Sequence, residues 1–170
     1  MKRAIYAGTF DPVTNGHLWM IIQANRLFDE VVVAIGKNPD KKTLFSLEER
    51  LEILREATSK LNNVRITSFE NQYLIDFAIQ EGAGFIIRGI RNSHDYAYEQ
   101  AIRNVNEDIN PNITTVFLTP PRNLAEVSSS LVKGLIGPTG WEKLVSTYVP
   151  STVLQRFKIR QAHQRSSLRE

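Results

Sequence analysis

Four short stretches hold the side chains best suited to chemistry: AGTFDPVTNGHL around His17, GKNPDKKTLF around Lys41 and Lys42, FIIRGIRNSHDYAYEQ around Arg88 and Arg91, and VSSSLVK around Ser128, Ser129 and Ser130. In the first, Gly8 permits a tight exit from an apolar run, Thr9 offers a hydroxyl and an amide, and Thr14 or Asn15 can cap a helix. Gly16 lets a ligand approach the backbone closely. His17 then falls in the first helical turn, where unpaired amides and the helix dipole favour a phosphate. A histidine there can stabilise charge on a phosphoryl group in transfer. The alternative is a capped helix with His17 as a half-exposed surface residue. Arg88 and Arg91 flank Gly89 at the end of a buried run, where arginines are costly unless anions meet them. A polyphosphate would meet them, and so would Asp95 and Glu99. The three serines expose hydroxyls and amides at a helix start or simply cap it, and the lysine pair is either an anion contact or a solvated loop.

Each stretch sits where a strand hands over to a helix. Five runs, RAIYAG, EVVVAIG, NVRITSF, GFIIRG and TTVFLT, are nearly continuous in apolar character, as strands buried on both faces of a parallel sheet must be. Segments 16–28, 72–81, 94–109 and 127–136 carry helical spacing. In SLEERLEILREAT, Leu47, Leu51 and Leu54 form an i, i+4, i+7 stripe behind a Ser46–Glu49 capping box. Strands alternating with helices predict an α/β fold: one doubly wound, Rossmann-like domain with a five-stranded parallel sheet, binding its ligand beyond the carboxyl ends of the strands. After Gly137 the chain reads as a turn and one or two short helices, with Trp141 and Phe157 packed on the body. The expected domain spans residues 1–158, followed by a basic polar tail, 159–170.

The motifs are not those of the two commonest phosphate loops, since neither GxGxxG nor GxxxxGK[ST] occurs. GTFDPVTNGHL instead resembles the GxFDPxTxGH signature of the nucleotidyltransferase superfamily, whose [HT]xGH motif binds the α-phosphate region of a nucleoside triphosphate. Thr14 at the first position of that motif, in a short single-domain chain, is similar to the phosphopantetheine adenylyltransferase family. Three further segments resemble that family in order and spacing: NPxKKxxFxLEER, IRGLRxxxDFxYE and the triple serine. The resemblance implies transfer of AMP from ATP to 4′-phosphopantetheine. It implies catalytic roles for His17, Lys41 and Arg91, and acceptor contacts from Thr9, Lys41, Leu74 and Arg88. For ATP it implies contacts from Thr9, Phe10, His17, Gly89, Ile90, Arg91 and Glu99 and from the run Leu124, Ala125, Glu126, Val127, Ser128, Ser129 and Ser130. Leu124 and Glu126 stand where the family usually carries aromatics. It further implies Mg2+ accompanying ATP and a homo-oligomer of hexameric form; the absence of cysteine makes a cytoplasmic location the simpler expectation.

Composition narrows the remaining classes. At 170 residues, folding should bury about 70% of the unfolded chain's surface, enough for one core. With no cysteine and three scattered histidines, thiolate catalysis and a built-in transition-metal site are not expected. The longest apolar run is too short to span a bilayer, so no membrane partner is expected. The net charge of +3 is uneven: residues 156–170 carry +4 and the rest −1. A near-neutral body with a basic end argues against a nucleic-acid partner and for a solvated tail. Two rival readings remain, a nucleotidyltransferase using CTP or a mononucleotide acceptor, and a non-catalytic nucleotide or nucleic-acid binder working through its tail.

Overall fold

A computed structural model describes residues 1–37 and 42–167. All five expected strands form: β1 (Arg3–Gly8), β2 (Glu30–Lys37), β3 (Val64–Glu70), β4 (Phe85–Gly89) and β5 (Thr114–Leu118). They make one parallel sheet in the order β3-β2-β1-β4-β5. The strand alternation explains the continuous apolar runs, because successive residues point to opposite faces and both faces are covered. Ala4, Tyr6, Val31, Val33 and Ile35 face the larger core, while Ile5, Val32, Ala34 and Ile86 face the smaller one.

Against the larger core pack α1 (Asn15–Leu27), through Met20, Ile21 and Ala24, and α2 (Leu47–Ala57), through Ile53 and Leu54. The expected Ser46–Glu49 capping box closes α2, and Leu47 and Leu51 flank buried Leu54 on its inner stripe. The smaller core is roofed by α3 (Leu74–Gln80), through Ile75, Phe77 and Ala78. By contrast α4 (Ser93–Ile109) buries only Asn106. Strand order reverses direction between β1 and β4, so the loops after these two strands lead to opposite faces and leave a crevice at their carboxyl ends.

The chain beyond β5 departs from the expected pattern. The helix expected over 127–136 forms as the shorter α6 (Ser129–Gly134), capped by Ser128, and a further short helix, α5 (Arg122–Ala125), precedes it. After α7 (Trp141–Val145), the end of the chain is one long helix, α8 (Ser151–Ser167), rather than a short helix and a solvated tail. The boundary expected at 158 therefore falls inside α8. Its Val153 and Phe157 join the larger core with Trp141 and Val145, and Arg156 and Arg160 reach carboxylates on α2.

Candidate functional site

The crevice at the β1/β4 switch opens into a cavity of about 710 Å³. His17 stands in its wall through a local device that the sequence half declares. Thr14 is the N-cap of α1, and its hydroxyl accepts the His17 N–H at 3.3 Å. The Thr14 N–H in turn donates to His17 Nδ1 at 3.1 Å, with the Thr14 hydroxyl 3.0 Å from the same nitrogen. This is a capping box in which a histidine replaces the usual Glu or Gln. Because an amide N–H can only donate, Nδ1 must accept, and the neutral ring carries its proton on Nε2. Burial, reinforced by the Arg91 guanidinium, lowers the His17 pKa from its ordinary value to about 4. The ring is thus a neutral hydrogen-bond donor at physiological pH.

The loop before α1 is held in a demanding conformation. Phe10 has φ +47°, a left-handed backbone that an aromatic residue adopts only under tertiary constraint. Its buried ring stands edge-on to His17 at 5.1 Å and to Tyr6 at 5.5 Å. Gly8 makes room for that ring, since a Cβ there would lie 3.1 Å from Phe10 Cζ and the ring would have to shift by a few tenths of an ångström. Arg50 of α2, itself buried, donates to the Thr9 carbonyl at 2.9 Å and to the Ser46 carbonyl at 3.2 Å.

Across the crevice, the arginines take both roles that the sequence left open. They line the cavity and they are also paired: Arg88 donates to Glu99 through Nε at 2.7 Å and NH2 at 2.5 Å. Arg91 donates to Asp95 through Nε at 2.8 Å and NH2 at 3.3 Å. These carboxylates sit one turn apart on α4, so one helix orients both guanidinium groups. The Asp95 pair raises the Arg91 pKa and lowers that of Asp95. The three serines divide their work: the Ser128 hydroxyl caps α6 by accepting the Leu131 N–H at 3.1 Å, the Ser129 hydroxyl donates to the Pro12 carbonyl at 2.8 Å, and Ser130 lines the cavity.

Of the residues singled out from sequence, Thr9, Phe10, His17, Arg88, Gly89, Arg91, Glu99, Leu124, Val127 and the three serines meet in this lining. Ile90, Ala125 and Glu126 are neighbours in the chain but not part of it. The Ile90 N–H donates to the Leu118 carbonyl, and Glu126 is exposed at the end of α5. Leu74 is outside this lining, partly buried on the smaller core, as is Ala7, which does reach the lining. Lys41 lies outside the described residues, while Lys42 lines the cavity. Sequence reasoning assigned no role to Tyr6, Asp11, Met20, Arg50, Thr43, Pro120 or Lys133. Asp11 of the FDP stretch, Arg50 of LEER and Lys133 at the end of VSSSLVK lay inside segments already quoted, but their partners are set only by the fold.

The five-stranded parallel sheet with its crevice at the β1/β4 switch is an α/β fold of nucleotidyltransferase type. Residues 5–135 match the cytidylyltransferase-like family. A Chromobacterium violaceum protein named phosphopantetheine adenylyltransferase is 56% identical over 157 residues, covering 92% of this chain and 96% of its own length. The protein of that name from Neisseria meningitidis serogroup C is 50% identical over 163 residues, covering 96% of both. Among solved structures, Plasmodium falciparum nicotinic acid mononucleotide adenylyltransferase complexed with NaAD shares the fold with a TM-score of 0.68 over 95% of this chain and 96% of that one, at 14% identity. The chain belongs to the cytidylyltransferase-like family and, within it, to the phosphopantetheine adenylyltransferases. Among the described residues no helix is long and apolar enough to cross a membrane.

Proposed function

We propose that this chain transfers AMP from ATP to 4′-phosphopantetheine, giving 3′-dephospho-CoA and pyrophosphate, the penultimate step of coenzyme A synthesis. A phosphate oxygen of the acceptor forms a bond to the α-phosphorus, the bond to the α,β-bridging oxygen breaks, and its electron pair leaves with pyrophosphate. The nucleophile is already ionised near neutral pH, so the protein's work is alignment and charge stabilisation. The observation that carries the reaction class is His17: a neutral Nε2–H donor, fixed through Nδ1 by the helix cap, set beside Arg91 in a cavity with a surplus of cations. Such a donor suits an oxygen on the α-phosphorus that gains charge during transfer. The choice of acceptor rests on the relatives.

In this reading Thr9 and His17 steady the α-phosphoryl group. Arg88 and Lys41 orient the attacking phosphate, Leu74 borders the pantetheine arm, and Arg91 with Ser128, Ser129 and Ser130 holds the ATP phosphates. Mg2+ accompanies ATP and neutralises phosphate charge. Among the described residues of the lining, Asp11 is engaged by Lys133 and two amides and Glu99 by Arg88, and no cluster of three candidate ligands occurs among the described residues. That donor set suits an ion carried on phosphate oxygens rather than on a dedicated protein site.

The same reading makes the protein a cytoplasmic homo-oligomer, a hexamer by its family resemblance. Supporting assembly, α4 exposes Tyr98, Ile102, Val105 and Ile109 at i, i+4, i+7, i+11 spacing, one apolar stripe on a helix that buries little else. The activity is tested by pyrophosphate release. Release should require ATP and 4′-phosphopantetheine together, while CTP as donor or nicotinate mononucleotide as acceptor should give background rates. Equal turnover with either substitute would overturn the reading.

A further inference from the structure

Asp11 has no part in the mechanism above, yet it is the best-connected side chain in the cavity wall. It is only 3% exposed. Its Oδ1 accepts the Leu44 N–H at 3.0 Å and the Phe45 N–H at 2.9 Å, and its Oδ2 accepts the Leu44 N–H at 2.9 Å and the Lys133 ammonium at 2.9 Å. One carboxylate therefore joins three separate strand-to-helix junctions: its own loop before α1, the segment entering α2, and α6. The partners lie 33, 34 and 122 residues away in the chain.

What hangs from this carboxylate is part of the cavity lining. Lys42 and Thr43, immediately before Leu44, line the cavity, as does Lys133. The segment from Lys42 to Ser46 belongs to no strand or helix. Its position is set instead by Asp11 on the Leu44 and Phe45 amides, by the fully buried Phe45 ring, and by Arg50, which ties the Ser46 and Thr9 carbonyls together. Burial alone would raise the Asp11 pKa, but the Leu44 and Phe45 amides and Lys133 outweigh it and leave the carboxyl below its usual range. An ionised carboxylate with four contacts already made is unsuited to accept a substrate proton or to ligate a metal; it is suited to hold things still.

We propose that Asp11 is a positioning residue for the transfer reaction: its buried carboxylate fixes Lys42, Thr43 and the Lys133 ammonium relative to His17, and so sets the alignment of acceptor and nucleotide for in-line attack. This rests on the adenylyl-transfer reading. In-line displacement is sensitive to alignment, and a misplacement of about 1 Å can cost roughly a hundredfold in rate. Asp11→Asn is the sharp probe. The amide keeps the shape and one acceptor oxygen but turns an NH2 group toward either an N–H or the Lys133 ammonium, donor against donor.

The test compares wild type, Asp11→Asn, Lys133→Met and the double variant in the holo reaction with ATP and 4′-phosphopantetheine. Thermal midpoint and ATP-binding stoichiometry establish that the sites counted are folded. Asp11→Asn should bind one ATP per chain as wild type does, with kcat per site reduced about thirtyfold or more and the KM for ATP changed less than fivefold. Lys133→Met should cost more than tenfold alone but less than threefold in the Asp11→Asn background, because the ammonium has already lost its anchor. A kcat within threefold of wild type in folded Asp11→Asn overturns the proposal. So do strictly additive losses in the double variant, or a rate deficit that disappears once normalised to ATP-binding sites, either of which leaves Asp11 a purely structural residue. Wild type that releases no pyrophosphate with this acceptor would instead defeat the underlying reading of the reaction.

Discussion

At the amino ends of the strands, Arg3 and Arg65 meet Glu30 and Glu81 in a closed set of ion pairs, cation for anion. At the carboxyl ends, Lys42, Arg88, Arg91 and Lys133 line a cavity in which, among the described residues, the carboxylates are Asp11 and Glu99, with Asp95 behind Arg91. Both ends belong to the same sheet and both satisfy buried backbone groups. They differ in what is left over. The amino end neutralises itself on the surface, where such pairs are each worth about 0.2 to 1 kcal/mol. The carboxyl end keeps a cationic surplus and uses its carboxylates to aim cations rather than cancel them. A charge surplus held in place by the protein's own anions is a site prepared for a polyanion.

The difference is broken most severely at His17. His17→Ala removes a transition-state donor and half of a capping box together, and kcat should fall about 100- to 1000-fold, from roughly 3 to 4 kcal/mol of lost stabilisation. His17→Gln separates the two roles, because Gln at this position can still accept the Thr14 N–H. It should keep the thermal midpoint of wild type while losing about a hundredfold in kcat. The pair of variants also reads the histidine's titration. With a folded pKa near 4 against 6.5 in the unfolded chain, the native state binds fewer protons between those values. Stability from this group is therefore complete above pH 6.5 and lost as pH falls toward 4. Wild type should lose about 2 kcal/mol more than His17→Gln between pH 7 and 4.5, measured by denaturant melts. Equal acid sensitivity in the two proteins would contradict a buried neutral ring.

Arginines at the two ends give the direct comparison. Arg88→Ala strips Glu99, whose side chain is 11% exposed, of its partner and leaves a bare carboxylate where the proposed acceptor phosphate would sit. Truncating one member of such a pair costs about 2 to 5 kcal/mol, so kcat/KM for 4′-phosphopantetheine should drop about a hundredfold. Glu99→Gln added to it should recover several-fold, since part of the loss is repulsion. Arg65→Ala, whose side chain is 44% exposed, should leave kcat/KM unchanged and cost at most about 1 kcal/mol of stability. If the two alanine variants lose activity alike, the contrast between the ends of the sheet has no functional content.

How far the site was legible follows from how local each interaction is. Strands were readable because a parallel sheet imposes unbroken apolar runs, and the Ser46–Glu49 box because both partners lie within four residues. Thr14–His17 has the same spacing, but histidine is absent from the usual capping pattern, so cap and chemistry read as alternatives, although Nδ1 serves the cap and leaves Nε2 for the proposed donor role. Asp11, Arg50 and Lys133 were hidden for a different reason. Their partners are 33 to 122 residues away, and no periodicity announces a contact that only the sheet order creates. Leu74 shows the opposite limit, an apolar residue whose type fits a ligand wall and a core equally well, and its partial burial on the smaller core is compatible with both.

The C-terminal helix supplies the smallest expected effect. Beyond Phe157 the sequence offers no apolar face, so it reads as a solvated basic tail, yet α8 continues and Arg160 lies across α2. Its NH2 donates to both Glu49 oxygens, at 3.1 and 2.9 Å, and its guanidinium sits 4.8 Å above the Phe45 ring. Glu49 is the capping acceptor of the Ser46 N–H, and Phe45 gives its own N–H to Asp11. Arg160 thus presses from outside on the segment that Asp11 holds from inside. The pair is partly exposed, so its worth is modest: about 0.2 to 1 kcal/mol for the ion pair and about 0.5 to 1 for the cation–π contact. Arg160→Ala should lower the thermal midpoint by roughly 2 to 6 °C and change kcat less than threefold. Arg160→Lys should keep much of the ion pair but not the planar stacking on Phe45, and fall between the two. An Arg160→Ala midpoint equal to wild type would return this end of the helix to the solvated tail that its composition suggests.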